Sequence, residues 1–113
     1  MIKKLIIGGA QFGIPAYGIN NSTQDINTNE ISAILDAASH SKIEYIDTAR
    51  EYGQSEKILG DILNESNSKI KIISKLSSLN SLNNNSDHEL IRQKVIDSID
   101  KSIQMLDRPI DYL

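Results

Sequence analysis

The chain has 113 residues, with 12 basic and 15 acidic side chains and a formal net charge of −3. That length supports one small domain with a real core, and the slight acidic excess favours neither nucleic acid nor a membrane surface as a partner. The chain has no cysteine and no apolar run of membrane-spanning length, which excludes a disulfide framework, a thiolate metal site and a cysteine nucleophile and favours a cytoplasmic protein.

The first predicted element is a strand over residues 4–10. Its apolar run Leu5-Ile6-Ile7 is continuous, which is typical of a strand buried on both faces. Gly8 and Gly9 follow and allow another group to approach the backbone closely. Residues 11–28 then read as one long loop rich in turn residues. A loop of this length is either functional or a plain surface connection.

A helix is predicted next, from residue 28 to about residue 40. Asn27 and Glu30 have the spacing of a capping box. The helix is followed by a strand over 43–47, a second helix over 55–64 and a third strand within 69–76. Four apolar residues of the first helix recur at helical spacing and should pack on the sheet: Ile31, Ile34, Leu35 and Ala38.

The last third of the chain begins with a Ser- and Asn-rich loop over residues 77–86. Ser86 and Glu89 have the spacing of a second capping box, which predicts a third helix that continues to about residue 106. Its predicted buried stripe is Ile91, Val95, Ile99, Ile103 and Leu106. Arg108-Pro109 ends the helix, and residues 110–113 begin a fourth strand. Strands that alternate with helices predict a parallel sheet with right-handed crossovers.

The most informative stretch is residues 45–60, where a buried strand ends in a carboxylate, Asp47. A loop follows with a phenol, Tyr52, and a turn glycine, Gly53, and Ser55 opens the next helix. Parallel α/β enzymes carry their catalytic groups at the carboxyl ends of strands. The pattern therefore predicts an active site at this end of the sheet.

These residues resemble the signature of the aldo-keto reductase family, and the resemblance runs from about residue 5 to residue 113. It is carried by Asp47-Thr48-Ala49, Tyr52-Gly53, Ser55-Glu56 and Leu59-Gly60. Residues 8–13 with Tyr17-Gly18 are similar to the first strand and loop of bacterial members, and Ile73-Ser74-Lys75 to the strand that presents the family's lysine. The resemblance implies an α/β fold of parallel (β/α) units, the amino-terminal half of a TIM (β/α)8 barrel. Because a complete barrel needs ~250 residues, we expect residues 1–113 to be one partial domain, truncated within strand four.

The resemblance also implies an activity, the NADPH-linked reduction of an aldehyde or ketone, or its reverse. Such a reaction needs a general acid near the carbonyl oxygen, and a nearby ammonium makes a phenol a better acid. By resemblance, Tyr52 is the acid, Lys75 the ammonium and Asp47 the partner of that lysine. Taken singly, each could instead be an ordinary surface or strand-end residue.

For the cofactor, the resemblance places Gly9, Ala10, Gln11 and Asp47 beside the nicotinamide; a tight turn would also explain the first three. The run over residues 8–13 lacks the G-x-G-x-x-G spacing, which argues against a Rossmann fold. No metal site is predicted. Whether NADPH or NADH is used remains open at this point, as do the substrate and the oligomeric state.

Two parts of the family's site are expected to be missing from these 113 residues. The family's histidine follows the fourth strand, and the cofactor's phosphates are held by late loops of the barrel. His40 and His88 do not match that histidine and are predicted to be surface residues. We therefore expect an inactive chain that self-associates through open sheet edges. A non-catalytic half-barrel and a small α/β binding module are the alternatives, and the reading frame after residue 113 would show whether the chain is a natural short protein or a fragment.

Overall fold

The computed structural model describes residues 4–15, 17 and 26–113. Seven elements follow one another in these residues. They are β1 (Ile6–Gly8), α1 (Ala10–Gly13), α2 (Thr28–His40), β2 (Tyr45–Asp47), α3 (Ser55–Glu65), β3 (Lys71–Ile73) and α4 (His88–Leu106). The three strands are each three residues long, and therefore shorter than the sequence predicts.

The sheet is parallel, with the strands in the order β1-β2-β3. Its register places Gly8 beside Asp47 and Asp47 beside Ile73. A single parallel bridge joins Ile73 to Tyr112, where the sequence predicts the start of a fourth strand. The predicted fold class, parallel β/α units with the strand ends aligned, is confirmed.

The helices cover one face of this sheet. Ile7, Ile46 and Ile72 lie in register across the three strands and point to that face, where Ile46 and Ile72 are fully buried. The core around them is formed by residues of α2, α3 and α4 together with Phe12 and Ile70. The opposite face carries Ile6, which is 51% exposed, and the half-buried Tyr45. One face of the sheet thus holds the core, and the other is left open beside Asp47.

Helix α2 begins as the sequence predicts. The Asn27 side chain accepts a hydrogen bond from the backbone N–H of Glu30, and the Glu30 carboxylate accepts one from the N–H of Asn27. This reciprocal pair satisfies two amide groups that a helix amino terminus leaves free. The prediction for Ile34 is wrong: its side chain is 40% exposed, whereas Ile31 and Leu35 are buried.

Helix α4 differs from its prediction at its amino terminus and along its buried stripe. Asp87, not Ser86, is the N-cap residue, and its side chain makes no capping hydrogen bond. The Ser86 hydroxyl instead accepts a hydrogen bond from the N–H of Asn83 in the preceding loop. Ile103 is 41% exposed, and the buried positions of the helix are Ser98, Ser102 and Leu106.

Helix α4 approaches α3 closely near its carboxyl end, at Leu106. A β-carbon at Gly60 would lie 2.4 Å from the backbone oxygen of Leu106. At that separation a side chain at position 60 would collide with the α4 backbone, so glycine is the residue that fits there. Ser98 is buried elsewhere on α4, where its hydroxyl accepts a hydrogen bond of 2.8 Å from the N–H of Ser77. Periodicity of apolar side chains does not identify buried serines of this kind.

Helix α1 corrects the prediction that a loop begins at residue 11. Residues 10–13 form one helical turn, which buries Ala10 and Phe12. A β-carbon at Gly13 would lie 1.8 Å from the Tyr52 carbonyl oxygen, so the turn packs directly on the loop after β2. The predicted turn residues Gly18, Asn20 and Asn21 lie outside the described residues.

The longest described helix, α4, has 19 residues and carries many charged side chains. Among the residues with described positions, no helix combines the length and the hydropathy needed to cross a bilayer.

Candidate active site

Asp47, Tyr52 and Lys75 lie at one end of the sheet. Asp47 is the last residue of β2, and Lys75 follows the last residue of β3 by two positions. Tyr52 lies in the loop between β2 and α3. Because β2 and β3 are parallel, their carboxyl ends meet, and the three side chains that the sequence places in one site come together there.

The Lys75 ammonium is the centre of this cluster. It donates hydrogen bonds to the Asp47 carboxylate and, over 3.0 Å, to the Thr48 carbonyl oxygen. It also lies 5.1 Å from the centre of the Tyr52 ring. Partial burial lowers the pKa of Lys75, but the hydrogen bond and charge of Asp47, together with Tyr52, outweigh burial and raise this pKa above its ordinary value. The lysine is therefore fully charged at neutral pH.

Backbone hydrogen bonds hold Tyr52 in place. Its N–H donates to the Ala49 carbonyl, and its own carbonyl accepts from the N–H of Ser55. Gly53 has a φ of +53°, a conformation that glycine adopts without strain. The ring of Tyr17 packs against the Tyr52 ring at a centroid distance of 6.0 Å. The phenol is thus fixed between the lysine and the segment that follows α1.

The residues predicted to bind the cofactor divide into two groups. Gly9 and Ala10 are buried, and the Gly9 N–H donates to the Asp47 carbonyl over 2.7 Å. Gln11 is exposed and donates its side-chain amide to the Tyr17 carbonyl. The Asp47 side chain is 37% exposed. Only Gln11 and Asp47 therefore offer side chains to a ligand, and Gly9 and Ala10 shape the backbone beside them.

A buried polar cluster underlies the site, and sequence reasoning did not assign it. Its four members are at most 1% exposed: Thr48, Ser55, Glu56 and Ser74. The Ser55 hydroxyl donates to the Gly9 carbonyl over 2.8 Å, so Thr48 must be the donor in the 2.9 Å bond between the Thr48 and Ser55 hydroxyls. A signal for Glu56 is present in the sequence, because it lies three, four and seven residues before the buried Leu59, Gly60 and Leu63 and so shares their helix face.

The two histidines lie elsewhere. His40 ends α2 and His88 begins α4, and both are exposed, as the sequence predicts. In the described part of the chain, no three acidic or imidazole side chains converge as metal ligands would. The groups that meet around the Lys75 ammonium at the sheet's carboxyl end are the Asp47 carboxylate and the Tyr52 ring.

The variant Asp47→Asn tests the ion pair through its pH dependence. It removes the charge that raises the pKa of Lys75 and leaves the burial that lowers it, so we expect the pKa of Lys75 to fall. Because the folded-state pKa of Lys75 is raised, the pair stabilises the fold fully below the unfolded value of about 10.4 and ceases to do so as the pH rises through the folded value.

The check combines two measurements on the wild type and the variant. One is the titration of Lys75 by NMR with ¹³C-labelled lysine, and the other is urea unfolding at several pH values. The difference in unfolding free energy should be constant from neutral pH to about pH 9 and shrink above about pH 10.4. Because both side chains are more than a third exposed, that difference should be small. An unchanged Lys75 titration would contradict the pairing.

Comparison with known proteins places this chain in a family. A profile of the aldo/keto reductase family matches residues 4–113. The fold is similar to two solved structures from Pseudomonas aeruginosa, each provisionally named an aldo-keto reductase. One is 25% identical with a TM-score of 0.67, and the other 24% identical with a TM-score of 0.64. Each comparison covers 90% of this chain and 36% of the other, so the chain spans about a third of the length of these relatives. No curated protein matches the chain.

Proposed function

Because this chain belongs to the aldo/keto reductase family, we propose that Asp47, Tyr52 and Lys75 are the proton-transfer part of a site that reduces an aldehyde or ketone with NADPH. One observation carries the proposal. The Lys75 ammonium is hydrogen-bonded to Asp47 and lies 5.1 Å from the Tyr52 ring centre, at the carboxyl end of a parallel sheet. A charged lysine beside a phenol is the arrangement that lets a tyrosine act as an acid.

In this proposal, each of the three residues has one task. The Tyr52 hydroxyl gives its proton to the carbonyl oxygen as negative charge develops there. The Lys75 ammonium stabilises the phenolate that remains, and Asp47 holds the ammonium in place. The nicotinamide, when bound, supplies the hydride that the carbonyl carbon accepts. Proton and hydride together convert the carbonyl to an alcohol.

The residues around Asp47 fit the nicotinamide end of such a cofactor. Gly8 lies beside Asp47 in the sheet register, and a β-carbon there would meet no atom of the described residues within 4 Å. A flat ring could occupy this open space against the sheet, with the exposed side chains of Asp47 and Gln11 beside it. By the family resemblance, residues beyond the matched third of the relatives would hold the phosphates.

The proposal is tested in a grafted reductase, in which this chain replaces the matching third of the Pseudomonas aeruginosa protein that is 25% identical to it. We expect saturable oxidation of NADPH with a nitrobenzaldehyde, followed by absorbance, and the same assay on the parent protein sets the reference. A graft that folds, as judged by circular dichroism, and binds NADPH without turnover would contradict the proposal.

A polypeptide of these 113 residues alone is expected to give no saturable turnover. The remote parts of a cofactor supply the binding energy that positions its reactive ring, and this chain spans only 36% of its relatives. In the described residues, β1 pairs only with β2, and an unpaired edge favours self-association. The check is the same NADPH assay together with size-exclusion chromatography; turnover by the short polypeptide would show that a half-barrel suffices.

A further inference from the structure

A buried ion pair lies beneath the proposed site. The Glu56 carboxylate, whose side chain is 1% exposed, pairs through Oε2 with the Arg50 guanidinium. Its Oε1 accepts a hydrogen bond of 2.7 Å from the Ser74 hydroxyl. Both carboxylate oxygens are therefore used by residues that come from different parts of the chain. Arg50 belongs to the loop after β2, and Ser74 directly follows β3.

The backbone joins the same two segments. The Arg50 N–H donates to the Lys75 carbonyl over 3.0 Å, and the Thr48 N–H donates to the Ile73 carbonyl over 2.8 Å. Lys75 is thus restrained at two points. The preceding residue, Ser74, bonds Glu56 through its hydroxyl, and the Lys75 carbonyl accepts a hydrogen bond from the Arg50 N–H. Arg50 in turn lies between Asp47 and Tyr52 in sequence. Glu56, from α3, contacts both of these segments through the hydrogen bonds of its two carboxylate oxygens.

Stability does not explain this arrangement well. Removing a carboxylate from water is expensive, and replacement of a buried ion pair by apolar residues of similar volume is often neutral or stabilising. The position of Glu56 in the first turn of α3 offsets a part of that cost, because an acid is favoured near a helix amino terminus. What the pair supplies beyond stability is a fixed geometry between two loops.

We propose that Glu56 is a positioning residue, which ties the loop carrying Tyr52 to the segment carrying Lys75 and so holds the lysine against Asp47 and the phenol. The inference rests on the proposed function for its purpose, but its geometry can be tested without turnover. Precise placement matters, because a displacement of about 1 Å far from the chemistry can cost on the order of a hundredfold in rate.

The test measures the reactivity of Lys75 in the full 113-residue chain. Trace labelling with acetic anhydride at pH 8, read by peptide mass spectrometry, gives the labelling rate of each lysine. The reference is Lys94, which is exposed on α4. Ser74→Ala removes one bond to Glu56 without changing any charge. Ser102→Ala, a buried serine of α4, is the matched control, and circular dichroism verifies that both variants fold.

We expect Ser74→Ala to raise the ratio of Lys75 to Lys94 labelling at least about twofold, because the free-amine fraction changes tenfold for each unit of pKa. Ser102→Ala should leave the ratio unchanged. Asp47→Asn removes the charge that pairs with Lys75, so it should give the largest rise in the ratio of Lys75 to Lys94 labelling. Glu56→Gln should raise the ratio more than Ser74→Ala does.

The outcomes separate the two proposals. If Asp47→Asn raises the ratio but Ser74→Ala and Glu56→Gln do not, the positioning role is refuted and the proposed function stands. An equal rise in Ser102→Ala would also refute it, because the effect would then belong to any buried serine. If the ratio rises as expected but a folded graft that binds NADPH shows no turnover, the proposed function fails and the positioning of Lys75 remains.

Discussion

Replacing Tyr52 with phenylalanine in the grafted reductase is expected to lower kcat by roughly 10²–10⁴-fold, the usual contribution of a positioned general acid or base. The substitution removes the hydroxyl that would donate the proton and keeps the ring that packs against Tyr17. Because the ring remains, binding of the substrate should change little, and the loss should fall on kcat. Steady-state kinetics with NADPH and a nitrobenzaldehyde would measure both parameters.

The matched control for this change is Tyr45→Phe. Tyr45 is also half-buried and lies on the open face of the same sheet, but at the opposite end of β2, where its ring packs on Tyr112. Its hydroxyl has no role in the proposed reaction, so kcat should be unchanged. A similar loss in both variants would mean that a tyrosine hydroxyl on this sheet face matters for folding and not for proton transfer.

Gly60→Ala is expected to destabilise the fold, although it replaces a glycine inside a helix. In a helix interior this change ordinarily stabilises by about 1 kcal/mol. At Gly60, however, the new methyl group would lie 2.4 Å from the Leu106 oxygen, 2.7 Å from its carbonyl carbon and 2.8 Å from its α-carbon. Because these are backbone atoms, α4 must move away from α3. We expect destabilisation of ~1–3 kcal/mol, the typical cost of overpacking.

The control is Gly8→Ala, which adds the same methyl group at a position where none of the residues with described positions has an atom within 4 Å. Its unfolding free energy should match or slightly exceed that of the wild type, because alanine loses less backbone entropy on folding than glycine does. Urea unfolding of both variants gives the comparison. Stabilisation by Gly60→Ala would contradict the close approach of α3 to Leu106.

The sequence predicts the elements and the site to different degrees, for a physical reason. The order of strands and helices follows from apolar periodicity and capping residues, as at Asn27 and Glu30, because these signals are local. The meeting of Asp47 with Lys75, 28 positions apart, was predictable only through the rule that parallel strands end together and through the family resemblance.

What the sequence does not predict depends on close packing. The buried positions of α4 are Ser98, Ser102 and Leu106, and of these only Leu106 is apolar. Hydrophobic periodicity instead selects Ile103, which is 41% exposed. The pairing of the Glu56 carboxylate is also not predicted, because a glutamate in a first helical turn is usually solvated. Its helix face indicates burial, but the partners of its charge, Arg50 and Ser74, come together with it only in the fold.

The most direct test of the proposed site is a double-mutant cycle of Tyr52→Phe and Lys75→Met in the grafted reductase. Residues that act as one unit give strongly non-additive losses. If Lys75 serves the reaction only through the phenol, the double variant should be no slower in kcat than the slower single variant. Losses that multiply, as for two independent residues, would contradict the claim that Asp47, Lys75 and Tyr52 form a single proton-transfer site.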